Sequence, residues 1–268
     1  MTYASVDGLQ VALDGAVLRL TLDRPAQRNA IDDTVMRGLI DAIDVAGRDE
    51  AVRSILLAGE GDHFCSGADI VARNAPGGDR PRVGSIQRRV PSLAHRLIPL
   101  VCNVQVPVVC AAKGTVAGIG LHLAVAADVT VVADDATLWE PFAQRGFTPD
   151  SGGTWLLPRR IGPARARELL LLGRRLTGTE AAEWQLVHRS VPVDEVGATA
   201  EALARQLADG PTVALGLTKW LLHQGTAQPI ESHLADEAFA LELSSRSEDF
   251  REGLQAFQEK RDPDFKGR

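Results

Sequence analysis

Cysteine is scarce in this chain: Cys65, Cys102 and Cys110 are the only three in 268 residues. They are too few and too irregularly spaced for a disulfide framework, and a reducing, cytoplasmic setting is the expectation. Long basic runs are missing as well. With a formal net charge of −6, nucleic acid is not the expected partner. The most apolar windows, 98–112 and 121–133, are interrupted by Asn103, Gln105, Pro107, His122 and Asp128. Neither offers the ~20 uninterrupted apolar residues that a membrane span needs. The first ten residues have neither a basic n-region nor an apolar h-region, so no signal peptide is expected. Internal repeats and low-complexity segments are absent too.

What is present is the material of an ordinary globular protein: 45% hydrophobic and 24% charged residues. A chain of this length buries roughly 75% of its extended-chain surface and needs no covalent staples. Short β-branched runs at 17–22, 54–58, 108–112 and 129–133 read as strands. Between them Val35, Leu39, Ala42, Ile43 and Ala46 fall at helical spacing behind a cap at Asp32 or Asp33. Residues 85–102 read as one helix, with Pro91 and Pro99 at issue for its ends, and 117–126 as a short helix. Residues 76–81 form a Gly/Pro/charged break expected as a surface loop. Strands alternating with helices imply an α/β body with parallel pairing. Beyond Asp194 the strand signals stop, and 194–208, 212–223, 231–244 and 248–260 all read as helices. The division expected is a core over 1–192 and a helical section over 193–268.

Two glycine-containing loops each follow a strand and open a helix: His63-Phe64-Cys65-Ser66-Gly67-Ala68-Asp69-Ile70 and Lys113-Gly114-Thr115-Val116-Ala117-Gly118-Ile119-Gly120-Leu121. Glycine lets backbone approach a ligand closely, and a helix start leaves N–H groups unpaired. Those amides carry a dipole equivalent to about +0.5 charge and suit an anion. Two such loops face to face would grip one oxygen that becomes negative; each alone also fits a plain strand-to-helix turn.

The ordered set Leu22-Asp23-Arg24-Pro25, Arg28-Asn29-Ala30, Phe64 to Asp69, Pro107-Val108-Val109, Gly114, Gly118-Ile119-Gly120, Gly152-Gly153-Thr154, Leu172-Gly173 and Arg251-Glu252-Gly253 resembles the enoyl-CoA hydratase/isomerase (crotonase) superfamily over nearly the whole chain. That resemblance implies a ββα spiral with a helical C-terminal section, an acyl-CoA substrate and no cofactor beyond the coenzyme A of that substrate. It also implies a homotrimer or a dimer of trimers. It places an oxyanion hole at the backbone N–H groups of Ala68 and Ile119, with isoleucine where the family usually has glycine. It places the coenzyme's adenine near Ser66, Gly67, Ala68, Asp69 and Ile70, its phosphates near Arg28, and Lys260 against the coenzyme of a neighbouring subunit. Without it, Arg28 and Lys260 read as solvated surface charges.

Hydratases of this family use two glutamates, and this chain has His122 and Phe142 at those positions. A phenyl ring carries no exchangeable proton, so two-glutamate hydration is not expected. A carboxylate stands instead at Asp150, in a run from Phe147 to Arg159 that resembles a subgroup isomerising ring-epoxidised phenylacetyl-CoA. One carboxylate suits isomerisation, taking a proton from one carbon and returning it to another. The bland alternative for Asp150 is an N-cap on a helix over 151–157. His122 is a candidate for orienting substrate or shuttling a proton, set against a satisfied core histidine. Glu140 is the third candidate, set against a loop carboxylate that points to water.

Other patterns lead less far. Gly118-Ile119-Gly120 with Glu140 about 20 residues on imitates a dinucleotide fingerprint, but its third glycine position is Leu123. Asp150-Ser151-Gly152 imitates a serine nucleophile elbow, but Pro149 stands where that motif has glycine. His63 and Cys65 lack a second ligand pair, so no metal is expected. The reading is therefore an acyl-CoA isomerase. An enoyl-CoA hydratase acting on fatty or steroid-derived acyl groups, or a non-catalytic acyl-CoA-binding protein, are the alternatives.

Overall fold

The computed structural model describes residues 2–69, 82–225 and 227–268. Ile70 and the break expected at 76–81 lie outside them. A six-stranded sheet is ordered β1-β2-β3-β4-β6-β9 and a three-stranded sheet β5-β7-β8. β1 (Leu9–Asp14) and β2 (Val17–Leu22) form an antiparallel hairpin. β3 (Ser54–Gly59), β4 (Val108–Ala112), β6 (Val129–Ala133) and β9 (Arg189–Val191) continue that sheet in parallel. Ile55, Val108, Val109, Cys110, Val131 and Val132 are inaccessible to solvent, as strands covered on both faces must be.

β5 (Thr115–Ala117), β7 (Thr137–Trp139) and β8 (Arg175–Leu176) make the second sheet. The chain thus runs from a strand of the large sheet to one of the small sheet and then into a helix, and repeats. This is the expected spiral, with one amendment to its pairing: β1–β2 and β7–β8 are antiparallel.

α1 (Asp33–Ala46) is capped by Asp32, whose carboxylate accepts from the Val35 N–H at 2.9 Å. Its buried stripe holds the five expected residues plus Met36 and Ile40. The helix expected over 85–102 is instead α2 (Ser85–Arg89), a 3-10 turn (Val90–Ser92) and α3 (Ala94–Asn103). Pro91, with a fixed φ and no N–H, sits in the interruption, whereas Pro99 is carried inside α3. The helix expected from residue 117 starts later, as α4 (Ile119–Ala126). Residues 115–117 pair as β5 because Gly118, at φ 52° and ψ −125°, turns the chain only there.

α5 (Gly153–Leu172) and α6 (Gly178–Glu183) precede β9. α7 (Val196–Ala208) then buries Val196, Ala200, Ala204 and Ala208 against the large sheet, and Ser54 Oγ donates to the Ala204 carbonyl at 2.8 Å. α8 (Thr212–Gln224) is anchored by buried Lys219, whose Nζ meets Asp128 Oδ2 at 2.7 Å and the Val101 carbonyl at 2.9 Å. α9 (Ile230–Ser244) and α10 (Glu248–Glu259) leave Ile230, Leu234, Phe239, Leu241, Leu254 and Phe257 exposed. Among the described residues, no helix is long and apolar enough to cross a membrane.

Candidate active site

The two glycine-containing loops are locked side by side. Phe64 N–H donates to the Lys113 carbonyl at 2.8 Å, Cys65 N–H to Thr115 at 3.0 Å, and Ala117 N–H to Cys65 at 2.9 Å. Gly120 permits this approach, because a Cβ there would lie 2.6 Å from Cys65 Cβ.

The same locking leaves two amides without an acceptor among the described residues. The Gly67 carbonyl and the Asp69 N–H both bond to Ile31, at 2.8 and 2.9 Å. Extended backbone alternates its direction, so the intervening Ala68 N–H faces away from Ile31. Ile119 is the first residue of α4, whose N-cap Gly118 has no side chain to satisfy it. Among the described residues, no acceptor is paired with the Ala68 or Ile119 amide. Both residues border one narrow cavity, walled also by Met36, Arg89, Val90, Leu93, Ala94 and Asp150. Ala94 and the Asp150-Ser151 step separate it from a wider pocket of about 460 Å³, which Ile98, Trp155 and His223 also line.

Asp150 is half-buried at the cavity wall. It is not a helix cap, which corrects that alternative: α5 begins at Gly153, with Gly152 at its N-cap and no side-chain cap bond. Two glycines at 152 and 153 let the chain turn without one.

Glu140 corrects the picture of a loop carboxylate in water. It is fully buried, and its Oε1 lies 2.9 Å from His122 Nε2. His122 is also fully buried, and its Nδ1 lies 2.6 Å from Ser151 Oγ. It is a satisfied interior histidine, and its route to the cavity runs through Ser151. The Ser151 hydroxyl is in turn 3.3 Å from Asp150 Oδ1. A carboxylate on Nε2 fixes that nitrogen as the proton carrier, leaving Nδ1 to accept from Ser151. Phe142 lies parallel to the imidazole, rings 7° apart with centroids at 5.9 Å, and gives it an apolar cover.

Ser151 is the member that sequence reasoning missed. A buried histidine needs a partner on each ring nitrogen, and a hydroxyl beside the candidate aspartate was the available signal.

Arg28, Ser66, Gly67 and Asp69 lie together, apart from Lys260. Arg28 is exposed in a left-handed conformation, and its carbonyl accepts from Ser66 N–H at 3.0 Å. Ser66 Oγ donates to the Gln27 carbonyl at 3.2 Å, and Asp69 is held by Arg24 at 3.1 Å. Gly67 is buried beside them. Lys260 is exposed at the left-handed end of α10. His63 Nδ1 accepts from the Thr115 N–H at 3.0 Å, and the Cys65 thiol is buried.

A two-sheet ββα spiral whose loops present a pair of unpaired amides beside a carboxylate is the architecture of a crotonase-fold acyl-CoA enzyme. A family profile described as enoyl-CoA hydratase/isomerase matches residues 13–268. The 1,2-epoxyphenylacetyl-CoA isomerase of Escherichia coli (strain K12) is 38% identical over 96% of this chain and 97% of its own. A probable enoyl-CoA hydratase of Rhodobacter capsulatus is 38% identical over 93% and 94%. The crystal structure of an enoyl-CoA hydratase from Bacillus anthracis superposes with a TM-score of 0.91 at 30% identity, covering 97% of this chain and 100% of that one. The chain belongs to the enoyl-CoA hydratase/isomerase family.

Proposed function

We propose that the protein is an acyl-CoA isomerase in which Asp150 moves the proton and the Ala68 and Ile119 amides hold the thioester oxygen. One observation carries this reading: Ala68 and Ile119, whose amides are unpaired among the described residues, border the same cavity as Asp150. Loss of the proton next to a thioester leaves an enolate, whose charge sits on the oxygen that the amides face. Donors that act mainly on this developing charge lower the barrier rather than merely tighten binding, and one of them is worth about 2.7–4 kcal/mol. Asp150 then returns the proton to a different carbon.

Ring-modified phenylacetyl-CoA is the substrate class we favour, supported by the likeness to the Escherichia coli isomerase. Coenzyme A would lie along the Arg28, Ser66, Gly67, Ala68 and Asp69 cluster, with Lys260 contributed by a neighbouring subunit of a trimer or a pair of trimers. The exposed apolar residues of α9 and α10 support such an assembly. Hydration of a fatty or steroid-derived enoyl-CoA is the second reading. Buried Glu140 favours it, because its Oε2 has no partner among the described residues and it supplies a second carboxylate.

The test is a panel of CoA esters with isomerisation and hydration scored separately. Asp150→Asn is expected to lose isomerisation by about 10²–10⁴-fold. Full activity in that variant would remove the assignment. Loss confined to Glu140→Gln, in hydration, would establish the second reading.

A further inference from the structure

Ser151 joins two acidic ends of one hydrogen-bonded chain. Glu140 Oε1, His122 Nε2, His122 Nδ1, Ser151 Oγ and Asp150 Oδ1 follow one another at 2.9, 2.6 and 3.3 Å across the three gaps. Three of the four residues are buried, and only Asp150 reaches the narrow cavity. A buried carboxylate favours a cation beside it, and the sole partner of the Glu140 side chain among the described residues is the imidazole. Phe142 lies against that ring, its π face within reach of an imidazolium. The chain is thus built to carry a proton at its inner end.

We infer that Ser151 is a positioning residue that couples Asp150 to the His122–Glu140 pair, so that a proton collected by Asp150 is parked on the imidazole. The inference rests on Asp150 being the group that moves the substrate proton. In the resting chain Asp150 and Glu140 are carboxylates, the Ser151 hydroxyl donates to Nδ1, and Nε2–H donates to Glu140. After Asp150 has taken the substrate proton, its O–H donates to Ser151 Oγ. Two protons then shift together: that of Asp150 passes to Oγ, and that of Ser151 passes to Nδ1. Asp150 is again a carboxylate, now accepting from Ser151, and His122 is an imidazolium paired with Glu140. One proton has moved from Asp150 to His122 with no other bond changed, and the reverse shift delivers it back to Asp150 for the second carbon.

Among the described residues, the charged and titratable groups that share a cavity wall with this chain are Arg89 at the narrow cavity, and His95 of α3 and His223 of α8 at the wider pocket. None of them lies between Ser151 and either carboxylate.

The test is the pH dependence of kcat/KM for the full-length protein on the CoA ester it turns over. In the resting chain Ser151 donates to Nδ1 and only protonated Asp150 donates to Ser151, so Ser151→Ala withdraws support from the protonated chain and moves the acidic limb downward by about one pH unit. Glu140→Gln moves it the same way, and Ser151→Thr, which keeps the hydroxyl, restores it. A role in packing alone lowers activity at every pH and leaves the limb in place. Nitrogen-15 NMR of histidine-labelled wild type, with His122→Gln for assignment, needs no folded Ser151 variant. His122 Nδ1 is expected to gain its proton as the acidic limb is crossed. An Nδ1 that stays unprotonated through the limb, or an unmoved limb in Ser151→Ala while Asp150→Asn is inactive, overturns the relay and leaves Asp150 standing. Full activity in Asp150→Asn overturns both.

Discussion

Gly153 stands so close to His122 that a methyl group on its Cα would lie 2.2 Å from Nε2 of the imidazole. The first residue of α5 is therefore part of the wall that holds the histidine between Ser151 and Glu140. Gly153→Ala should push the ring out of its cage, break both of its hydrogen bonds and cost about 2–4 kcal/mol. Urea unfolding measures this. In Gly153→Ala/His122→Ala the collision is gone, so the double variant should be less destabilised than the two single costs added together. Strict additivity would mean that the two residues do not touch.

Asp150 caps no helix, so its substitution separates chemistry from stability. Asp150→Asn should leave thermal stability within about 0.5 kcal/mol of wild type while turnover falls. A loss of stability of the size seen on loss of a cap, about 1 kcal/mol, would return Asp150 to a structural role.

Lys219 and Asp128 form a pair in which the ammonium is almost wholly enclosed, at 5% side-chain exposure. Burial lowers the Lys219 pKa below its ordinary value, and Asp128 works against that shift. Lys219→Met leaves Asp128 without its cation and the Val101 and Val106 carbonyls without a donor. A loss of about 3 kcal/mol in chemical denaturation is expected. Lys219→Met/Asp128→Asn should recover part of it.

At the C-terminus, Arg261 and the Asp264 N–H hold the Glu252 carboxyl down at about 2. A depressed carboxylate pKa favours the fold above its unfolded value of 4.5, and that contribution disappears as pH falls from 4.5 to about 2. Protection factors for hydrogen exchange in residues 261–268 should therefore fall across this window. Glu252→Gln should show low protection there at every pH. Equal protection at pH 2 and pH 6 in wild type would contradict the pairing.

Burial pushes the Cys65 thiol up to about 12, and the enclosed Cys110 thiol higher still. Thiolate, not thiol, is the nucleophile. Iodoacetamide at pH 8 should label neither in the native protein and all three cysteines in urea. Native labelling at Cys65 would show that the loop carrying Ala68 opens.

What the sequence alone determined is whatever follows from local rules. The Val and Leu runs of β2, β3, β4 and β6 announce their strands, the stripe from Val35 to Ala46 announces α1, and Gly118 and Gly120 mark the turn that frees the Ile119 amide. Strand alternation, helical period and glycine's lack of a Cβ act within a few residues. Strands of two or three residues, such as β5, β7 and β8, hold too few side chains for a period to register. Tertiary structure alone decided which polar groups meet. His122 comes from α4, Glu140 from the segment after β7 and Ser151 from the approach to α5, at sequence separations of 18 and 29 from the histidine. Whether Glu140 faces water or an imidazole depends on how those three segments pack. Burial is a property of the assembled fold, and no stretch of neighbouring residues encodes it.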